Sequence, residues 1–400
     1  MLIPRPLVMK MIALAVAVAL PLSLGAAAQS TPLPSTPGPS ATPGPSTTTA
    51  APASVGEVEA LYRAARYDRA IARCDELRAA AGGGSNLADV ESEYWAAKAS
   101  QSLGANDDAR ARLRTLARVH ADSPRAADAL IDAPMIGIDV QRGHTSSTKE
   151  REAAAAAAGE LEALAPTLSS NPGSVARAWF VAGNAWRVAE NDAKARKDYE
   201  TSQGLKIGEY PMKAQHMLSV VAGRGLDAEG ARALLTDCVA HSANAQQERC
   251  AKDLDRWSIV GAPAPELSVE TWIHGEPTSL EQLRGKVVLI WFFATWCPHC
   301  KATMPEMADL QARMAGKPFR IIGITRNDQG QTTESAKTFV LDPKWKITYP
   351  VGVDKDAKTS TDFHGMAVPS AILIDKKGVV RWSQHPGYLS DALIDKLVSE

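Results

Sequence analysis

The stretch FFATWCPHCKATMP, Phe292 to Pro305, sets two cysteines two residues apart between an apolar run and a helix-forming segment. Such a pair can be a redox dithiol, half of a metal site or a structural staple. Upstream, Val287 to Phe293 is continuously apolar, as expected of a strand buried on both faces. The pair lies just past its end, with Cys297 near the N-cap of the next helix and Pro298 at its first position. There the unpaired N–H groups and peptide dipoles face the first sulfur and stabilise a thiolate, the nucleophilic form. Cys300 follows one turn later and can attack the mixed disulfide formed at Cys297, releasing the partner. His299 between them favours the thiolate further when it is protonated or donates a hydrogen bond. Stabilising the reduced form makes the disulfide the stronger oxidant.

The chain ends and composition set the surroundings. Arg5 and Lys10, the apolar Met11 to Leu24 and the small residues Ala26 to Ala28 predict a signal peptide over residues 1–28. Pro21 and Ser23 interrupt the apolar stretch, which is shorter than the ~20 residues a membrane span needs, so an uncleaved anchor is the weaker reading. Residues 29–54 hold Pro, Ser, Thr, Gly and Ala without charge or aromatics, a composition that reads as a disordered linker. The expected location is periplasmic or otherwise exported, where disulfides persist. With 44 basic against 45 acidic residues and no basic stripe, nucleic acid is not an expected partner.

Residues 55–257 turn to Ala, Leu, Arg and Glu, with apolar positions three and four apart. A Tyr67-Asp68 corner suggests a helical hairpin, and the pattern of a large aromatic, a small residue, a turn and an Ala-rich helix returns twice. This resembles tetratricopeptide (TPR-like) repeats, with a generic helical bundle as the alternative. The segment around IDAPMIGIDVQRGHTSSTKE interrupts the series with a loop. A helical array of this type implies a concave surface for a protein or peptide partner. Tyr62, Tyr67, Trp95, Trp179, Phe180 and Trp186 read as core packing rather than binding residues. Cys238 and Cys250 stand twelve apart in DCVAHSANAQQERC, a spacing that a helix, turn and helix could close. A structural disulfide is the preferred reading, contributing roughly 3 kcal/mol by chain entropy. Cys74 is then the odd cysteine, read as a buried small hydrophobe.

Residues 259 to 400 resemble the thioredoxin fold, specifically its exported TlpA/ResA-like branch, which shares its opening with the redoxins. The resemblance rests on GAPAPEL, LRGKVVLIWFFATWCPHC, Pro305, YPVGVD, VPSAILIDKKGVV and a C-terminal helix from Leu389. It implies an α/β thioredoxin-like domain over 258–400 after the α-helical repeat-like domain. It also implies a cis Pro369 facing the dithiol, with Trp296, Val368 and Pro369 contacting an extended substrate segment. Protein thiol or disulfide substrates follow from it, together with a membrane electron donor or acceptor, and no cofactor beyond the Cys297–Cys300 disulfide.

Two departures leave the proton acceptor unassigned. Thioredoxin has a buried Asp six residues before the first Cys, where this chain has Trp291. The ResA-like proteins often have Glu three residues after the second Cys, where this chain has Thr303; Glu306 is the nearest carboxylate in sequence.

Other readings make distinct demands. A redoxin-type thiol peroxidase would need proline and threonine where the chain has Ile290 and Ala294. A Cu(I) metallochaperone would bind through Cys297, Cys300 and His299 with Met304 or Met366, although one CxxC supplies only two thiolates. In a pure binding module the helical half would act and the dithiol would be vestigial. His299 favours an oxidant, whereas the resemblance implies a reductant or a substrate-specific exchanger.

Overall fold

The computed structural model describes residues 56–82, 89–140 and 147–400. The predicted signal peptide and linker lie outside them. The first described part is helical: α1 Glu57–Arg63, α2 Tyr67–Ala80, α3 Val90–Ser102, α4 Asn106–Val119, α5 Pro124–Met135, α6 Thr148–Leu164, α7 Pro172–Val188, α8 Asp192–Gly204, α9 Tyr210–Arg224, α10 Ala228–His241 and α11 Asn244–Trp257. Local chemistry sets several of the starts. Asp89, Asn171, Asn191 and Asp227 each accept a backbone N–H of the first turn, and Ser147 with Glu150 forms a reciprocal capping box.

Each helix packs on its neighbours in the chain, and alanines at the contacts let the backbones approach closely. Gly183 is one such contact, since a Cβ there would lie 2.6 Å from the Tyr199 ring. Two local expectations shift. The first corner falls at 64–66, where left-handed Ala65 closes α1 and the Arg66 N–H bonds Leu61 O at 2.9 Å; Tyr67 therefore opens α2 rather than forming the corner. The interrupting loop is also shorter than expected, because α5 runs on through Pro134 to Met135 and α6 starts at Thr148. The aromatics expected in the core are partly or fully buried: Trp95 joins two apolar clusters, and Trp186 and Phe180 pack with Tyr199.

The second part is a six-stranded sheet built from β1 Val269–His274, β2 Val287–Phe292, β3 Phe319–Thr325, β4 Val351–Asp354, β5 Ser370–Ile374 and β6 Val380–Gln384. Between them lie α12 Pro298–Arg313, α13 Thr333–Val340 and α14 Lys358–Asp362, and α15 Asp391–Ser399 ends the chain. The strand order is β1-β4-β3-β2-β5-β6. Strands β2, β3 and β4 are parallel, while β1, β5 and β6 pair antiparallel with their neighbours. All six residues of β2 are buried, which explains its unbroken apolar sequence: it lies inside the sheet and is covered on both faces. The fold is thus a helical region followed by an α/β thioredoxin-like domain.

The two parts share a core. Trp257 at the end of α11 is fully buried in the same apolar cluster as the sheet, and its ring lies where a Cβ on Gly223 of α9 would be, 2.4 Å away. The loop after β6 inserts against the helices. Arg187 of α7 is buried, lies over the Tyr388 ring at 5.2 Å and donates to Gly387 O at 3.5 Å. Arg151 at the start of α6 reaches Asp391 at 3.2 Å, which also holds Arg313 of α12 at 3.1 Å.

Candidate functional site

The site lies at the C-terminal end of β2, where parallel sheets expose loops for chemistry. The strand runs on into the buried Phe293 and Ala294, a half-buried turn follows at Thr295 and Trp296, and Cys297 caps α12. Its Sγ accepts the Cys300 N–H at 3.3 Å, a backbone group that the helix itself cannot satisfy. Pro298 occupies the first helical position, where it forfeits no hydrogen bond, and Pro298 and His299 are exposed. Cys297 is 4% and Cys300 1% exposed. Burial, with the neighbouring Cys297 sulfur second, pushes the Cys300 thiol well above its ordinary range. The inner thiol is therefore held neutral behind the outer one.

Across from the dithiol, the Val368–Pro369 peptide is cis and the Cys297 thiol points at Val368 O, 3.9 Å away. Pro369 is buried and leads directly into β5, which pairs with β2. Trp296, partly buried, donates through Nε1 to Asp328 at 2.8 Å. The structure thus brings together Trp296, Cys297, Pro298, His299, Cys300, Val368 and Pro369. Cys238 and Cys250 lie elsewhere, joined as a disulfide between α10 and α11. Cys74 is fully buried in the first helices, and burial pushes its thiol up to about 12.

Residues absent from the sequence reading hold the site in shape. Asp328 pairs with Arg326 at 2.6 Å, and Arg326 donates to Met366 O at 2.9 Å. Trp296 before the dithiol is therefore linked through two side chains to the loop carrying Val368. Gln331 accepts from Thr295 N at 2.7 Å and donates to Thr325 Oγ1 and Arg326 O at 2.8 and 2.7 Å. The available signal was the polar run RNDQGQ directly after an apolar strand parallel to β2, which must end at the same edge as the dithiol.

The departures also find their places. Trp291 is fully buried and stacks on Phe293 with centroids 4.7 Å apart. Thr303 is buried and donates to His299 O at 2.9 Å, a helix-internal bond. Glu306 is partly buried on α12. Ile290 and Ala294, at the positions where a peroxidase would carry proline and threonine, are buried apolar residues. Met304 is fully buried and Met366 is half exposed. Among the described residues, no cluster of three or more His, Cys, Asp or Glu could hold a metal ion.

Residues 260–383 match the AhpC/TSA family. Over 121 residues the chain is 31% identical to the thioredoxin-like protein YneN of Bacillus subtilis (strain 168), covering 30% of this chain and 68% of that protein. It is 33% identical over 121 residues to the thiol-disulfide oxidoreductase ResA of Bacillus cereus (strain ZK / E33L), covering 30% and 66%. Among solved structures, a thiol-disulfide isomerase from Corynebacterium glutamicum is 31% identical, with 35% of this chain and 97% of that one covered and a TM-score of 0.31. The chain spans about two thirds of the length of the two Bacillus proteins. At that likeness to YneN, the chain belongs to the thioredoxin-like thiol-disulfide oxidoreductase family.

Proposed function

We propose that this protein is an exported enzyme that exchanges disulfides with protein substrates, Cys297 attacking and Cys300 resolving. The observation that carries the reading is the stacking of functions at one helix end. Cys297 Sγ sits at the N-cap of α12 facing Val368 O, and the buried Cys300 lies behind it. In the reducing direction the Cys297 thiolate attacks one sulfur of the substrate disulfide, forms the mixed disulfide and expels the first substrate thiolate, which takes up a proton. Cys300 then gives up its proton and attacks Cys297 Sγ. The enzyme disulfide forms, the second substrate thiolate leaves, and two electrons have passed to the substrate. The neutral Cys300 suits the second role, since it does not compete for the first attack.

Export is supported by the N-terminal sequence and by the Cys238–Cys250 disulfide, a bond that persists in oxidising compartments. Among the described residues no helix is long and apolar enough to cross a membrane. The net direction proposed is reduction, or substrate-specific exchange, with electrons supplied by a membrane partner. Val368 and Trp296 hold the substrate segment.

The test uses the whole protein and an oxidised protein substrate such as insulin. Cys297→Ser should abolish exchange, while Cys300→Ser should accumulate a mixed disulfide. Turnover of peroxide without a protein disulfide would favour the peroxidase reading. Stoichiometric copper without exchange would favour the metallochaperone. Titration of the Cys297/Cys300 couple against glutathione decides the direction: a couple as oxidising as DsbA, at about −120 mV, would reverse the assignment as a reductant.

A further inference from the structure

We propose that the helical region supplies one wall of the substrate groove, a subsite for an acidic side chain next to the target cysteine of a protein substrate. This rests on the exchange reading above. A cleft of about 340 Å³ lies between α11 and the loop that follows α14. One wall carries Lys252, Asp255 and Arg256, and the other carries His364, Met366 and Ala367. The second wall leads without interruption into Val368, whose carbonyl faces Cys297 Sγ at 3.9 Å. The cleft is therefore the continuation of the proposed substrate edge, and half of it belongs to a helix outside the thioredoxin-like domain.

The walls are held in register. His364 Nδ1 and Asp255 Oδ1 are 3.0 Å apart across the cleft, and Arg326 fixes the loop through Met366 O at 2.9 Å. Gly365 lies so close to β2 that an added Cβ would come 2.5 Å from the Phe292 ring. Arg256 is immobilised by Asp253 at 2.7 Å with its side chain only 11% exposed.

The charges facing the cleft favour an anionic occupant. The cleft is lined by two cations, Lys252 and Arg256, against one carboxylate, Asp255, which is 64% exposed and faces His364 at 3.0 Å; Lys252 is 66% exposed, with Glu248 on its own helix at 3.8 Å. A substrate strand paired on Val368 advances about 3.3 Å per residue, and residues two apart share a face. In the proposed complex a side chain two residues from the cysteine lies along the Ala367–Val368 edge on the side of the cleft that carries Lys252.

The experiment uses the full chain, reduced beforehand, in single turnover. The probes are two ten-residue peptides, each with one cysteine held as a mixed disulfide with glutathione, bearing Glu or Lys two residues from the cysteine on either side. The uncharged 2-hydroxyethyl disulfide is the control. The wild type should react with the Glu peptide about two- to fivefold faster than with the Lys peptide, the size expected of one exposed ion pair. Lys252→Glu should abolish or invert this ratio, and Lys252→Arg should retain it, with the control rate unchanged in both. An equal rate for the two peptides in the wild type, or a preference that survives Lys252→Glu, overturns the subsite while leaving exchange intact. Absence of reaction with the control disulfide overturns the exchange reading itself.

Discussion

Arg187 of α7 lies over the Tyr388 ring at 5.2 Å and donates to Gly387 O, so a buried guanidinium from the helical region closes on the loop after the last strand. It also donates to Val140 O, and its own carbonyl accepts from Arg224 at 3.1 Å. Arg187→Ala would leave two carbonyls without this donor and remove the cation from the ring. A loss of about 2–4 kcal/mol is expected. Denaturant unfolding followed by tryptophan fluorescence checks this, and an unchanged midpoint would refute it.

The same loop makes the structure acid-sensitive. Burial first, then the nearby Arg256 charge, hold the His385 imidazole down at about 4, and its Nδ1 accepts the Gly387 N–H at 3.0 Å, which a protonated Nδ1 cannot do. The folded-state value is depressed below the usual ~6.5. The unfolded chain therefore binds more protons between those values, and this contribution is present above pH ~6.5 and lost as pH falls towards 4. Melting temperature should drop across that window in the wild type and drop less in His385→Gln. Parallel profiles for the two proteins would remove His385 from the account.

Asp198 of α8 carries the opposite dependence. It is fully buried, and burial, with the Glu162 charge second, pushes its carboxyl up to about 7. Here the folded chain holds more protons than the unfolded one from about pH 4 to 7, so this stability is complete below pH ~4 and lost as pH rises through about 7. Asp198→Asn should be more stable than the wild type at pH 8, with the advantage shrinking towards pH 5. Equal melting temperatures of the two proteins at pH 8 would contradict it.

What the sequence made legible follows from how local each signal is. The dithiol, the strand before it and the helix after it are adjacent in the chain, and a buried strand such as β2 announces itself by an unbroken apolar run. Pro369 lies 72 residues beyond Cys297 and could be paired with it only through family resemblance. The polar chain from Trp296 through Asp328 and Arg326 to Met366, and the wall supplied by α11, depend on β3 ending beside β2 and on Trp257 anchoring α11 to the sheet. Neither leaves a pattern in spacing, and an exposed-looking Asp or Arg in a loop reads as ordinary solvated charge.

That polar chain carries a prediction of its own. Asp328 accepts from Trp296 Nε1 at 2.8 Å and pairs with Arg326 at 2.6 Å, so it restrains both the approach to Cys297 and the loop that presents Val368. Asp328→Ala frees both, whereas Asp328→Asn keeps an acceptor for the indole and loses only the charge. Because the thiols are held by β2 and α12, their attack on a small disulfide should persist in both variants. Exchange with a folded protein disulfide needs Trp296 and Val368 in register, so its kcat/KM should fall by about tenfold in Asp328→Ala, the worth of ~1.4 kcal/mol, and by less in Asp328→Asn. Equal losses on insulin and on 2-hydroxyethyl disulfide would mean that Asp328 supports the dithiol itself rather than the groove.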